Sequence, residues 1–135
     1  MEGSCLCGET GFAVSGTPEL SLICHCTHCR KQTGSAFSLL YAFPREQVRI
    51  TGNPKSYRDT GDSGKSVDRL FCATCGSSIA ADAAAVPHLL FVHGGALPAD
   101  IDIAPERQIF CASAFDWAEL PGLDSFARLP HEADL

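Results

Sequence analysis

Cys72-Ala73-Thr74-Cys75-Gly76, read together with Cys5-Leu6-Cys7-Gly8, decides how this chain folds. Two residues between cysteines let the backbone curl until both sulfurs face one ion. A glycine after the second cysteine permits the positive φ that such a turn needs. The shorter C-x-C can chelate one ion as well. Together the two stretches offer four thiolates, a closed tetrahedral set; the alternative is two unrelated buried pairs. Structural zinc of this kind contributes about 10–16 kcal/mol of apparent binding free energy to folding. Such an ion would tie distant parts of the chain together.

Around this staple the sequence reads as sheet. Gly11 to Val14, Leu20 to Cys24, Phe37 to Phe43 and Gln47 to Thr51 are short alternating or β-branched runs. Lys55 to Arg58, Ser66 to Phe71, Ser78 to Ala81, His88 to His93 and Arg107 to Cys111 continue the pattern. Breaks fall at Gly16-Thr17-Pro18, Gly52-Asn53-Pro54, Gly61-Asp62-Ser63-Gly64 and Gly94-Gly95. Thr27 to Thr33 reads as a short helical turn. Ala80 to Ala85 has alanine's helix propensity inside a sheet-like context. The tail from Pro121 reads as a loop that packs Leu123 and Phe126. The expectation is an all-β, zinc-stapled domain of several short antiparallel sheets, one domain over residues 1–135.

Cys24-His25-Cys26-Thr27-His28-Cys29-Arg30 puts three more sulfurs within six residues. If the four-thiolate set is closed, only the isolated Cys111 is left to complete this one. Three protein ligands and an open position make the usual catalytic zinc arrangement. The competing reading is a structural site, with His25 or His28 as fourth ligand. Three thiolates leave a zinc site with a net charge of about −1, a weaker Lewis acid than a three-histidine site. Accepting a thiol is then more plausible than activating water, and Cys24, Cys26 and Cys29 become the candidate catalytic residues. Arg30 and Lys31 stand beside them as candidate carboxylate-binding residues. Their simpler role is to compensate the site's negative charge.

Composition narrows the classes further. The chain is 45% hydrophobic and 19% charged, as a globular protein is, with a net charge of −6. Arg30-Lys31 is the only adjacent basic pair. The basic stripe of a nucleic-acid surface is missing, so no nucleic acid is expected as partner. The N-terminal Met1-Glu2-Gly3-Ser4-Cys5 has neither a basic region nor an apolar stretch, and no run suffices to cross a bilayer. The reading is a cytoplasmic protein without a membrane partner, whose eight cysteines serve metals rather than disulfides. Small β-rich domains often pair, so a homodimer is allowed.

These motifs are recognisable. Gly3-Ser4-Cys5-Leu6-Cys7-Gly8, Cys24-His25-Cys26-x-x-Cys29-Arg30-Lys31-Gln32-Thr33-Gly34-Ser35-Ala36-Phe37 and Arg69-x-Phe71-Cys72-x-x-Cys75-Gly76-Ser77 follow in order. The pattern closely resembles the glutathione-dependent formaldehyde-activating enzyme family, which includes the centromere protein V type. The resemblance implies a zinc-dependent β-tent fold and supplies the pairing of the ligands. Cys5, Cys7, Cys72 and Cys75 match a structural zinc site. Cys24, Cys26 and Cys29 match a second, catalytic and exchangeable zinc that faces substrate. The implied activity is condensation of formaldehyde, an aldehyde, with the small thiol glutathione to give S-hydroxymethylglutathione. Members are grouped as carbon–sulfur lyases. One departure is Gln108, in a segment where the family often has histidine.

Two other readings compete. A redox enzyme of the methionine sulfoxide reductase type would use Cys111 as nucleophile, against the simpler reading of a buried, inert thiol. A non-enzymatic zinc module for protein contacts would need a binding surface that the composition does not reveal. His88 and His93 are read as structural, and Trp117 and Phe37 as core residues that could wall a small-ligand pocket.

Overall fold

The computed structural model describes residues 1–130. The chain is mostly strand: β1 (Glu2–Ser4), β2 (Gly11–Val14), β3 (Leu20–Cys24), β4 (Ser38–Pro44), β5 (Val48–Thr51) and β6 (Pro54–Thr60). There follow β7 (Ser66–Cys72), β8 (Ser78–Ala83), β9 (Leu89–His93), β10 (Arg107–Ile109) and β11 (Asp124–Ser125). One short helix, α1 (Thr27–Thr33), interrupts them after β3. No helix among the described residues is long and apolar enough to cross a membrane.

The contacts group the chain into two compact units. The first comprises Met1–Glu19 and Tyr41–Asp102; the second comprises Leu20–Leu40 and the described residues from Ile103 on. In the first unit, β2 lies between β1 and β5, antiparallel to both. The same unit holds an antiparallel run in the order β9-β8-β7-β6. Its burial follows from sequence. Leu89-Leu90-Phe91-Val92-His93 is buried at every position, as a strand covered on both faces must be. At the other end, β6 is largely exposed and carries Lys55 and Arg58, charges that protect an edge from further pairing.

Two expectations for the first unit are refined. Ala80 to Ala85 forms no helix. Ala80 and Ala81 are buried in β8 and pair with Val92 and Phe91, so ladder bonds and packing outweigh alanine's intrinsic preference. His93 is buried on β9, whereas His88 precedes that strand and is exposed.

In the second unit, β10 runs parallel to both β3 and β11. Parallel pairing needs a long connection between partners, which local alternation in the sequence does not announce. The strand expected over Arg107 to Cys111 ends early, at Ile109. Phe110 adopts φ 55°, a left-handed conformation that stops the strand, and Cys111–Ser113 form a 3-10 turn. The tail beyond Pro121 is irregular apart from β11, with Leu123 and Phe126 half-buried.

Candidate metal centres and an adjoining pocket

The closed set lies within the first unit. Cys5 follows β1, Cys72 ends β7, and Cys7 and Cys75 sit in the turns after them. Each turn is closed by its own backbone: Gly8 N–H donates to the Cys5 carbonyl at 3.2 Å and Gly76 N–H to the Cys72 carbonyl at 3.0 Å. Gly8 and Gly76 take φ 85° and 80°, the left-handed turn expected of those glycines. A further bond, Leu6 N–H to Ser77 Oγ at 3.0 Å, holds the two turns together.

The sulfurs of Cys5, Cys7, Cys72 and Cys75 all lie within 4.8 Å of one another and could hold a metal ion. Cys5 Sγ to Cys7 Sγ is 3.6 Å and Cys7 Sγ to Cys72 Sγ is 3.7 Å. Tetrahedral zinc with bonds near 2.3 Å requires sulfurs about 3.8 Å apart, so spacing and donor chemistry both fit. The surroundings favour thiolates. Thr10 N–H points at Cys5 Sγ (3.3 Å) and Thr74 N–H at Cys72 Sγ (3.4 Å). The Ser77 hydroxyl, 3.2 Å away, leads the influences that bring Cys75 down to about 5. The Cys75 N–H leads those that lower Cys72. Cys7 is pushed up to about 12: a bond from the Glu9 backbone lowers it, but desolvation and its three neighbouring sulfurs outweigh that bond. A cation among the four sulfurs would relieve this opposition.

The three-sulfur set lies within the second unit. Cys24 ends β3, Cys26 is the N-cap of α1, and Cys29 is buried on the helix. Cys26 Sγ accepts the Cys29 N–H at 3.1 Å, which fixes the first turn. The helix ends at Gly34, whose N–H donates to the Arg30 carbonyl at 2.8 Å. The three sulfurs lie within 4.8 Å of one another. Hydrogen bonding to Cys26 and Cys29, then burial, raises Cys24 far above the ordinary thiol range. This buried cluster is therefore poorly disposed to become a thiolate set without a cation.

Neither histidine joins these sulfurs within that distance. His25 is fully buried and turns to Gln108, its Nε2 lying 3.0 Å from Oε1. Phe37 packs edge-on against the His25 ring at 5.5 Å and is half-buried. Gln108, which sequence left without a role, is buried and anchors this part of the second unit. Its Nε2 donates to the Leu120 carbonyl (2.8 Å) and to Ser125 Oγ (2.9 Å), while Oε1 accepts the Leu120 N–H (3.1 Å).

Arg30 and Lys31 extend from α1 into a cavity of ≈ 470 Å³ whose walls also include Thr27, Ala36, Phe115 and Trp117. The Arg30 guanidinium carbon is 4.4 Å from the Phe115 ring centre. Phe115 and Trp117 stack 5.8 Å apart with an interplanar angle of 5°. Trp117 is therefore not core: it is 76% exposed. Sequence reasoning passed over Phe115, although Phe115-Asp116-Trp117 places two aromatics two residues apart. Cys111 stands apart from the sulfur cluster. Its thiol lies 3.8 Å from the Gln108 carbonyl, and burial, helped by Glu119, raises its pKa, the opposite of what activates a nucleophile.

Comparison with known proteins agrees with these motifs. The family profile described as glutathione-dependent formaldehyde-activating enzyme matches residues 1–113. A protein of Colletotrichum graminicola bearing the name "Putative glutathione-dependent formaldehyde-activating enzyme" is 40% identical over 53 residues. That match spans 39% of this chain and only 27% of the relative. The crystal structure of a Rhodobacter sphaeroides protein superposes with a TM-score of 0.61 at 20% identity, covering 93% of this chain and 99% of the other. At that identity the likeness concerns the fold alone. With a profile match over most of its length, the chain belongs to the glutathione-dependent formaldehyde-activating enzyme family.

Proposed function

We propose that residues 1–135 act as one zinc-dependent domain with carbon–sulfur lyase-type chemistry, making or breaking the adduct of a small thiol and an aldehyde. Cys5, Cys7, Cys72 and Cys75 hold a structural zinc in this reading. Cys24, Cys26 and Cys29 hold a second, exchangeable zinc and form the catalytic centre. Zinc bound there supplies the positive charge that keeps a thiol deprotonated near neutral pH. The observation carrying the proposal is the three-sulfur cluster, which neither His25 nor His28 completes and which shares α1 with a cationic cavity.

The chain's own residues then have separate tasks. Arg30 and Lys31 receive the carboxylates of a peptide-like thiol such as glutathione, Arg30 through a fork geometry that suits a carboxylate. The Cys26 cap and buried Cys29 fix where the sulfurs stand relative to these cations. In the forward direction the thiol sulfur bonds to the aldehyde carbon and the thiol proton ends on the aldehyde oxygen. No redox partner is needed. With formaldehyde and glutathione the product would be S-hydroxymethylglutathione; the family description and the name of the Colletotrichum relative mention glutathione and formaldehyde, which supports this pair of substrates.

Cobalt substitution followed by glutathione titration tests this. The proposal expects thiolate-to-cobalt absorption from both sites and a glutathione-dependent change in the part that Cys26→Ser removes. Two fully loaded sites whose spectra no thiol alters would overturn it.

A further inference from the structure

The aromatic side of the Arg30 cavity asks for more than a one-carbon aldehyde can provide. Two aromatic rings lie stacked at its wall, yet Phe115 is 44% exposed and Trp117 is 76% exposed. Leaving two stacked aromatic residues this exposed forgoes part of the burial that normally stabilises them. The Arg30 guanidinium lies against Phe115, and its Nε is buried with no hydrogen-bond partner among the described residues. A buried donor without a partner is costly unless something else satisfies it. Arg30 and Lys31 are the charged groups on the wall, and none of the lining residues is acidic.

These features specify two halves of a ligand. One is anionic, to meet the two cations. The other is planar and π-bearing, to cover the ring stack. The cavity of ≈ 470 Å³ lies in the range of pockets that hold a small organic ligand. A hydroxymethyl group has no π face and would leave Phe115 and Trp117 as wet as they are.

We infer that Phe115 and Trp117 are specificity-determining residues, selecting thiol adducts whose aldehyde-derived part is aromatic or conjugated, with the carboxylate held by Arg30. The inference rests on the thiol–aldehyde reading above and narrows its aldehyde to the aryl or conjugated class.

Trp117 is the single tryptophan, so its fluorescence reports directly on the wall. The probes are S-benzylglutathione and S-methylglutathione, whose capped sulfurs cannot become thiolates. The metal-loaded protein is expected to bind the benzyl compound about tenfold more tightly, with quenching of Trp117, because ring stacking contributes on this scale. Phe115→Leu should reduce that preference to about twofold or less, and so should Trp117→Leu, followed by calorimetry. Arg30→Gln should weaken both ligands alike. Equal affinities, no binding of either probe, or a preference that survives both aromatic substitutions would overturn the inference. Both aromatic positions are substantially exposed, so their variants are expected to fold, and a far-UV spectrum checks this. The capped probes bypass the thiol step, so a failure of cobalt–thiol coupling and a failure of aromatic selection are separate results.

Discussion

Nε2 of His25 lies 3.0 Å from Oε1 of Gln108, and this contact fixes the chemistry of both side chains. The Gln108 amide orientation is set by its other partners. Its nitrogen faces the Leu120 carbonyl and its oxygen accepts the Leu120 N–H. The oxygen therefore accepts from His25 too, which places the imidazole proton on Nε2. Gln108→Glu keeps size and shape but turns an oxygen toward the Leu120 carbonyl and leaves Ser125 without its donor. We expect a loss of about 2–4 kcal/mol, read as a lower urea midpoint with an unchanged slope.

The two sulfur sets should respond differently to single substitutions. Cys72→Ser removes a ligand from the closed set, which ties residues 5–7 to residues 72–75. It should cost most of the binding free energy of that ion, and soluble folded protein should become scarce. Cys26→Ser should leave a folded chain with about one zinc fewer. Zinc content by mass spectrometry under native conditions, with circular dichroism, separates the two outcomes.

Arg69 and Asp59 form a largely enclosed ion pair, Nε to Oδ2 3.0 Å, with side-chain exposures of 9% and 14%. Asp59→Ala leaves the guanidinium buried without this carboxylate. The expected destabilisation is about 3–5 kcal/mol, larger than that of the double variant Asp59→Ala/Arg69→Met. A double-mutant cycle in denaturant measures the difference. Losses that simply add, the double variant costing the sum of the two single variants, would contradict a coupled pair.

Acid stability should carry the mark of Asp68. Its hydrogen bonds to Arg58, at 2.8 and 3.0 Å, hold its carboxyl below the ordinary value in the folded chain. A depressed folded pKa means that this contribution is fully present above the unfolded value, about 3.9, and disappears as pH falls through the folded value. Asp68→Asn should therefore narrow the stability difference from the parent chain below about pH 4 and leave a small constant difference near neutrality. Thermal melts across the acid range, at fixed ionic strength, test the sign.

Much of this architecture was legible in the cysteines and in short β-branched runs. The C-x-C and C-x-x-C pairs, each with its glycine, act locally, so spacing alone announces the turns at Gly8 and Gly76. The α1 turn was read over Thr27 to Thr33 as well, though its cap at Cys26 and its end at Gly34 are visible only in the structure. The parallel pairing of β10 was not, since Arg107 and Leu22 meet through a long excursion of the chain. Trp117 misled for a related reason. A lone tryptophan is usually buried, and only its stacking on Phe115 beside Arg30 reveals a wall. Gln108 likewise acquires meaning only from the strands and loops that converge on it.

The central claim is that Cys24, Cys26 and Cys29 form an open metal site, distinct in kind from the closed set of Cys5, Cys7, Cys72 and Cys75. Anomalous diffraction from crystals of the full chain, recorded on both sides of the zinc edge and repeated after soaking in glutathione, tests it most directly. The account predicts two zinc peaks, the one at Cys5, Cys7, Cys72 and Cys75 full and the other partial, with glutathione sulfur reaching only the second. A single peak at the closed set, with Cys24, Cys26 and Cys29 as free thiols, would contradict it.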